Sequence, residues 1–182
     1  MKLYKYILIS VFMFAATGVF AQYNECTATS CSVSDVSNKV SMRSYIKRIA
    51  LSDYDKEVSQ NSKKLVVVYI TKPGCVACEK FKRDYFNNIA ETYTTKGVKF
   101  VEIEFVLEVG ANNKKHLDKD SSSFLTAHKD ILEQWRALKS ATPAIMLVKN
   151  GQILDIHTQG KYNGASYDVV ADKIEKDIQN YL

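Results

Sequence analysis

Cys75 and Cys78 stand three positions apart in "TKPGCVACEKF", residues 71–81, directly after an apolar run and directly before a helical pattern. Two thiols at this spacing can close a disulfide, hold a metal ion or cycle between dithiol and disulfide. The position of Cys75 weighs on that choice. The first turn of a helix presents unpaired backbone N–H groups and the positive end of the helix dipole, which favour an anion. A cysteine there is shifted towards the thiolate, the form that attacks disulfides; Lys72 and Lys80 bring further positive charge. Cys78 follows one helical turn later, near enough to bond with Cys75 and one step deeper under the helix. This arrangement permits attack by Cys75 on a substrate disulfide, a mixed disulfide on that sulfur, and release by Cys78.

Two other readings of the pair stay open. With Cys26 and Cys31 it would offer C-x4-C and C-x2-C spacings, tolerable for zinc, although zinc knuckles usually sit on loops or hairpins. As a permanent bridge it would constrain the unfolded chain little, because the loop it closes is short. A strand, a CxxC and a helix in that order form the context expected of a redox pair.

The elements that must position the cysteines can be read in chain order. Residues 41–61 carry a helical pattern through Tyr45, Ile46, Ile49, Ala50 and Tyr54. "KLVVVYI", ending at Ile70, predicts a strand buried on both faces. From Cys75 onward Cys78, Phe81, Tyr85, Ile89 and Tyr93 recur at helical spacing. "VKFVEIEF", 98–105, is a second strand, and the polar stretch 106–128 is an insertion long enough to hold a short element of its own. "DILEQWRAL" places Ile131, Leu132, Trp135 and Leu138 on one helix face. "AIMLV" and "ILDIH" flank Asn150-Gly151, a strong hairpin signal. Residues 166–181 stripe Tyr167, Val170, Ala171, Ile174 and Ile178 along a last helix. Helices alternating with strands and a closing antiparallel pair make the class α/β.

The N-terminal residues "MKLYKYILISVFMFAATGVFAQ" have the layout of a secretory signal: Lys2 and Lys5, an apolar stretch from Tyr6 to Phe20, and a cleavage region ending at Ala21. The apolar stretch is short for a membrane span, which needs about 20 residues. Cleavage after Ala21 would make Gln22 the new N-terminus and place all four cysteines where disulfides persist. Of the 25 basic and 20 acidic residues, the signal holds two basic and none acidic, so the formal charge falls from +5 to +3. That balance, with no basic stripe interleaved with aromatics, argues against nucleic-acid binding. The expected organisation is a signal at 1–21, a Ser/Thr-rich arm at 22–40 and one domain at 41–182.

Over residues 60–182 the chain resembles the thioredoxin-like superfamily, and within it the exported bacterial thiol–disulfide oxidoreductases. The features that carry the likeness are "LVVVYI", "CVAC" opening a helix, "ATPAIMLVKNGQIL" and the terminal amphipathic helix. The resemblance implies a central mixed sheet flanked by helices, with the 106–128 insertion before the third core helix. It implies that Pro143 is cis and packs beside the cysteine pair. It further implies that Thr142 offers main-chain hydrogen bonds to a substrate strand, a form of β-augmentation. Thr before this proline is similar to periplasmic disulfide isomerases and several exported reductases. The chain also departs from the pattern. Gly74 replaces the Trp before the first cysteine. Tyr69 stands where the family has a buried Asp, leaving that proton-transfer role unfilled or supplied by Glu79 or water. Val76-Ala77 is neither Gly-Pro nor the x-His of strong oxidants, which leans towards reductase or isomerase.

The resulting expectation is a periplasmic or secreted thiol–disulfide oxidoreductase acting on protein or peptide disulfides and thiols. Cys75 is the nucleophile, Cys78 the resolving thiol and Thr142-Pro143 the substrate-binding edge. It needs no bound cofactor; as a reductase it needs a membrane redox partner. Cys26–Cys31 is read as a structural disulfide, with a second electron-carrying pair as its alternative. His116, His128 and His157 are read as surface or core residues, so no metal is assigned. The rival class is a thioredoxin-fold binding module whose Cys75–Cys78 bridge is static.

Overall fold

Val66, Val67, Val68 and Ile70 are all buried, and their alternation places neighbours on opposite sides of one strand. Val67 and Tyr69 enter one apolar core, while Val66, Val68 and Ile70 enter another. A strand covered on both faces reads as an unbroken apolar run, and it is the middle of the sheet. The computed structural model describes residues 44–59, 63–110 and 113–182, all within the unit Ser41–Leu182.

This central strand, β2 (Val66–Thr71), pairs in parallel with β3 (Lys99–Glu104) and antiparallel with β6 (Ala144–Lys149). A short β1 (Ile46–Arg48) runs parallel to β3 at one edge, and β7 (Gln152–His157) runs antiparallel to β6 at the other. The order is β1-β3-β2-β6-β7, a mixed sheet. One core unites Tyr69 and Phe100 with Phe81, Phe86, Ile89 and the stripe Val170, Ala171, Ile174 and Ile178 of the last helix. The other packs Val68 and Ile103 against Tyr54, Phe124, Ile131 and Trp135. The β6–β7 turn has positive φ at both Asn150 (55°) and Gly151 (72°), the backbone a tight two-residue hairpin requires.

The helical pattern expected over 41–61 is only partly a helix. Residues 46–48 are β1, a 3-10 turn covers Leu51–Asp53, and α1 is confined to Tyr54–Ser59. The cause is a coincidence of spacing: Ile46 and Ile49 enter opposite cores, whereas a spacing of three in sequence mimics one helix face.

After the cysteines, α2 (Val76–Phe81) passes through a π turn at Lys82–Phe86 into α3 (Asn87–Thr94) without leaving helical backbone angles. The Asn87 N–H reaches the Lys82 carbonyl five residues back. The wider turn shifts the buried face by one residue. Phe86 is fully buried, while Tyr85, the position regular spacing selects, is half-buried at the rim.

The 106–128 insertion holds more than one element. β4 (Leu107–Val109) pairs antiparallel with β5 (Lys115–Leu117), and α4 (Lys119–Ala127) follows. Asp118 caps α4 by accepting from Ser121 N–H at 2.9 Å, and Phe124 and Leu125 anchor it. α5 (Lys129–Ala137) and α6 (Tyr167–Tyr181) complete the flanking layers. Among the described residues no helix is long and apolar enough to cross a membrane.

Candidate active site

β2 ends at Thr71, and the next four residues turn the chain into α2. Gly74 takes φ +67°, which its lack of a side chain permits, and Cys75 N–H closes the turn on the Lys72 carbonyl at 3.3 Å. Cys75 is the N-cap of α2, and its sulfur accepts from the Cys78 N–H at 3.2 Å. The backbone donor at the head of the helix therefore already points at the Cys75 sulfur. The two cysteines are joined in a disulfide with Cα atoms 5.2 Å apart. Their exposures differ: 8% for Cys75 and 1% for Cys78. Both are buried, and Cys75 is the less deeply enclosed of the two. Val76, 82% exposed, stands beside it as an apolar surface.

The residues before β6 come to the same place. Thr142 Oγ1 lies 3.8 Å from Cys75 Sγ, and the Thr142–Pro143 peptide bond is cis. Cys75, Cys78 and Thr142-Pro143, separated by more than 60 residues in sequence, thus form one cluster. Lys72 and Lys80 flank it as exposed residues. Cys26 and Cys31 lie outside the described residues, as do the expected signal and arm.

Beneath the pair lies a layer that sequence reading saw only in part. The Tyr69 hydroxyl donates to the Cys78 carbonyl at 2.7 Å, tying the middle of the sheet to the first turn of the redox helix. Its ring stacks on Phe86 at 4.7 Å and lies parallel to Phe81 at 6.4 Å. Burial, with the charges of Glu102 and Glu79 nearby, holds this phenol above its ordinary range, so it remains a proton donor. Tyr69 therefore does not replace a carboxylate's chemistry; it fixes the position of Cys78.

Glu102 went unnoticed in the sequence. It lies opposite Tyr69 in the β2–β3 register, is 6% exposed, and is ion-paired with Lys82 of the π turn and, at 4.0 Å, with Arg48. The signal available was parity: in "KFVEIE" Glu102 shares its face with the buried Phe100, so a charge there needs a partner. Glu79, by contrast, is exposed. Trp135 is a core residue, its indole N–H donating to the Ala141 carbonyl at 3.0 Å. Of the histidines, His116 is exposed on β5, His128 joins α4 to α5 and lies 3.0 Å from Asp55, and His157 is buried at the end of β7.

A family model of the thioredoxin-like domain matches residues 51–174, more than half of the chain. The chain belongs to the thioredoxin-like family. A closed CxxC disulfide at the head of a helix in such a domain is the equipment of a thiol–disulfide oxidoreductase in general terms. Similar solved structures include the short form of thioredoxin f from spinach chloroplast, 18% identical with a TM-score of 0.47, covering 75% of this chain and 92% of that one. Fasciola hepatica thioredoxin is 14% identical with a TM-score of 0.48, covering 75% and 99%. Oxidised Plasmodium falciparum thioredoxin is 21% identical with a TM-score of 0.47, covering 73% and 98%. No match is found among curated proteins.

Proposed function

We propose that this protein is an exported thiol–disulfide oxidoreductase that reduces or isomerises protein disulfides through Cys75 and Cys78. The observation that carries the reading is the asymmetry of the pair: the Cys75 sulfur caps the helix head and accepts the Cys78 N–H, and Cys78 lies more deeply buried behind it. In the reductive direction the dithiol form reacts. The Cys75 thiolate attacks one sulfur of the substrate disulfide, and the other substrate sulfur leaves as a thiolate and takes up a proton. Cys78 then gives up its proton and attacks the Cys75 sulfur, closing the Cys75–Cys78 disulfide and freeing the second substrate thiol. Two electrons pass to the substrate, and an external dithiol, in the cell a membrane redox partner, must return them. Isomerisation uses the same first step and ends when another substrate thiol displaces Cys75.

Thr142-Pro143 and exposed Val76 form the edge on which an extended substrate would lie, with main-chain hydrogen bonds from Thr142. The absence of a histidine between the cysteines favours reduction or isomerisation over oxidation. Residues 1–21 support export to the periplasm or medium, with cleavage after Ala21. Cys26–Cys31 would then persist as a structural disulfide in the arm.

The test is turnover on insulin with dithiothreitol as electron source. The wild-type protein accelerates reduction, Cys75→Ser abolishes the acceleration, and Cys78→Ser accumulates a mixed disulfide on Cys75 visible by mass spectrometry. Equal rates with wild-type and Cys75→Ser protein would leave a binding module with a static bridge. N-terminal sequencing of protein recovered from an exporting host tests the leader, with Gln22 as the expected first residue.

A further inference from the structure

His157 is fully buried, yet its Nε2 has no hydrogen-bond partner, the one buried side-chain nitrogen or oxygen among the described residues in that position. Leaving a buried polar atom unpaired is unfavourable, so this nitrogen calls for an explanation. It points between two carboxylates. Asp177 Oδ2 of α6 lies 3.5 Å away and Asp155 Oδ2 of β7 lies 3.8 Å away. One ligand atom from each of the three residues falls within 4.8 Å of the others.

We propose that Asp155, His157 and Asp177 form a site for a divalent transition-metal ion, with zinc the best-suited probe. The donor set, one imidazole nitrogen and two carboxylate oxygens, is one zinc accepts. Metal–ligand bonds of about 2.1 Å in a tetrahedron place ligand atoms about 3.4 Å apart, close to the two distances observed. Both aspartates are between a quarter and a third exposed, so they can close the remaining gap and leave a fourth position to water.

The surroundings prepare each ligand. His157 Nδ1 is hydrogen-bonded to the Tyr162 hydroxyl, and a proton held there leaves the Nε2 lone pair for the metal, as outer-shell partners of ligating histidines do. Lys161 and the Ile156 N–H both bind Asp155 Oδ1, leaving Oδ2 turned towards Nε2. Asp155 and His157 are two apart on β7 and so share one face, and Asp177 comes from the helix packed over it. A bound ion would clamp the edge strand to α6. The site uses neither cysteine and stands apart from the redox proposal.

The experiment is calorimetric titration of Zn2+ alone into the oxidised full-length protein, in which closed disulfides keep thiols from competing. One ion binds per chain; Asp155→Asn and Asp177→Asn each weaken binding at least tenfold, and Tyr162→Phe weakens it about tenfold. Saturating Zn2+ raises the Tm of the wild type and raises that of Asp177→Asn by less. Because a variant can misfold, the wild type is also followed by nitrogen NMR, where Zn2+ shifts the His157 Nε2 signal. Absence of saturable binding, an unmoved His157 signal, or unchanged affinity in either aspartate variant overturns the site.

Discussion

Tyr69 occupies the place where a carboxylate would make the site a proton-transfer device, and its hydroxyl acts instead as a clamp on the Cys78 carbonyl. That carbonyl also accepts the Lys82 N–H, so Tyr69→Phe leaves it with a partner and keeps the aromatic stack. The expected loss is about 1 kcal/mol, read as a lower urea midpoint with unchanged slope. Glu102 is different in kind, because a buried carboxylate deprived of its cation has no good alternative. Lys82→Met removes the nearer cation, with Arg48 left at 4.0 Å. The expected destabilisation is about 2–3 kcal/mol, larger than that of Tyr69→Phe. Urea unfolding of the two variants side by side decides the order.

Among the elements, the π turn sets which aromatic side chain supports the redox helix. Phe86→Ala removes a fully buried ring that touches Tyr69 and Phe100 and costs about 3–5 kcal/mol. Tyr85→Ala, at the rim, costs about 1 kcal/mol. The reverse order would mean an unbroken α-helix. Glu57 of α1 joins that helix to the sheet through Lys47 of β1 and Lys99 of β3, and hydrogen bonds from these two lysines hold its carboxyl down to about 2, against an ordinary 4.5. A depressed carboxylate contributes stability above its unfolded value and loses it as pH falls through the folded one. Unfolding monitored from pH 5 to pH 2 therefore shows a loss that Glu57→Gln lacks, and 1 M salt shrinks the difference. Much of this level was legible in sequence: β2 from its β-branched run, the hairpin from Asn-Gly, and α6 from its stripe. The misreadings share a cause. Periodicity shows that residues are buried but not on which side, so Ile46 and Ile49 mimicked one helix face, and a one-residue slip at the π turn exchanged Tyr85 for Phe86. The cysteines and Thr142-Pro143 could be named because their types and spacings are local. Glu102 and the Asp155–His157–Asp177 cluster are made by strand register and helix packing, which no local spacing records.

At the scale of the molecule, the sheet delivers two chain segments to one end: the turn after β2 with its cysteines and the turn before β6 with Thr142-Pro143. Covering both faces of β2 with separate cores gives that end a rigid base, which is what exchange between two sulfurs at fixed separation needs. On the proposed function the Cys75–Cys78 disulfide exchanges electrons with substrates rather than serving as a permanent bridge. The most direct test of this exchange equilibrates the protein in glutathione buffers of graded potential and traps free thiols by alkylation, scoring Cys75 and Cys78 separately from Cys26 and Cys31. A reductase titrates at about −220 to −270 mV, and an isomerase or oxidant at about −120 to −180 mV. A pair still bridged below about −300 mV behaves as a structural disulfide and would contradict the oxidoreductase in favour of a thioredoxin-fold binding module.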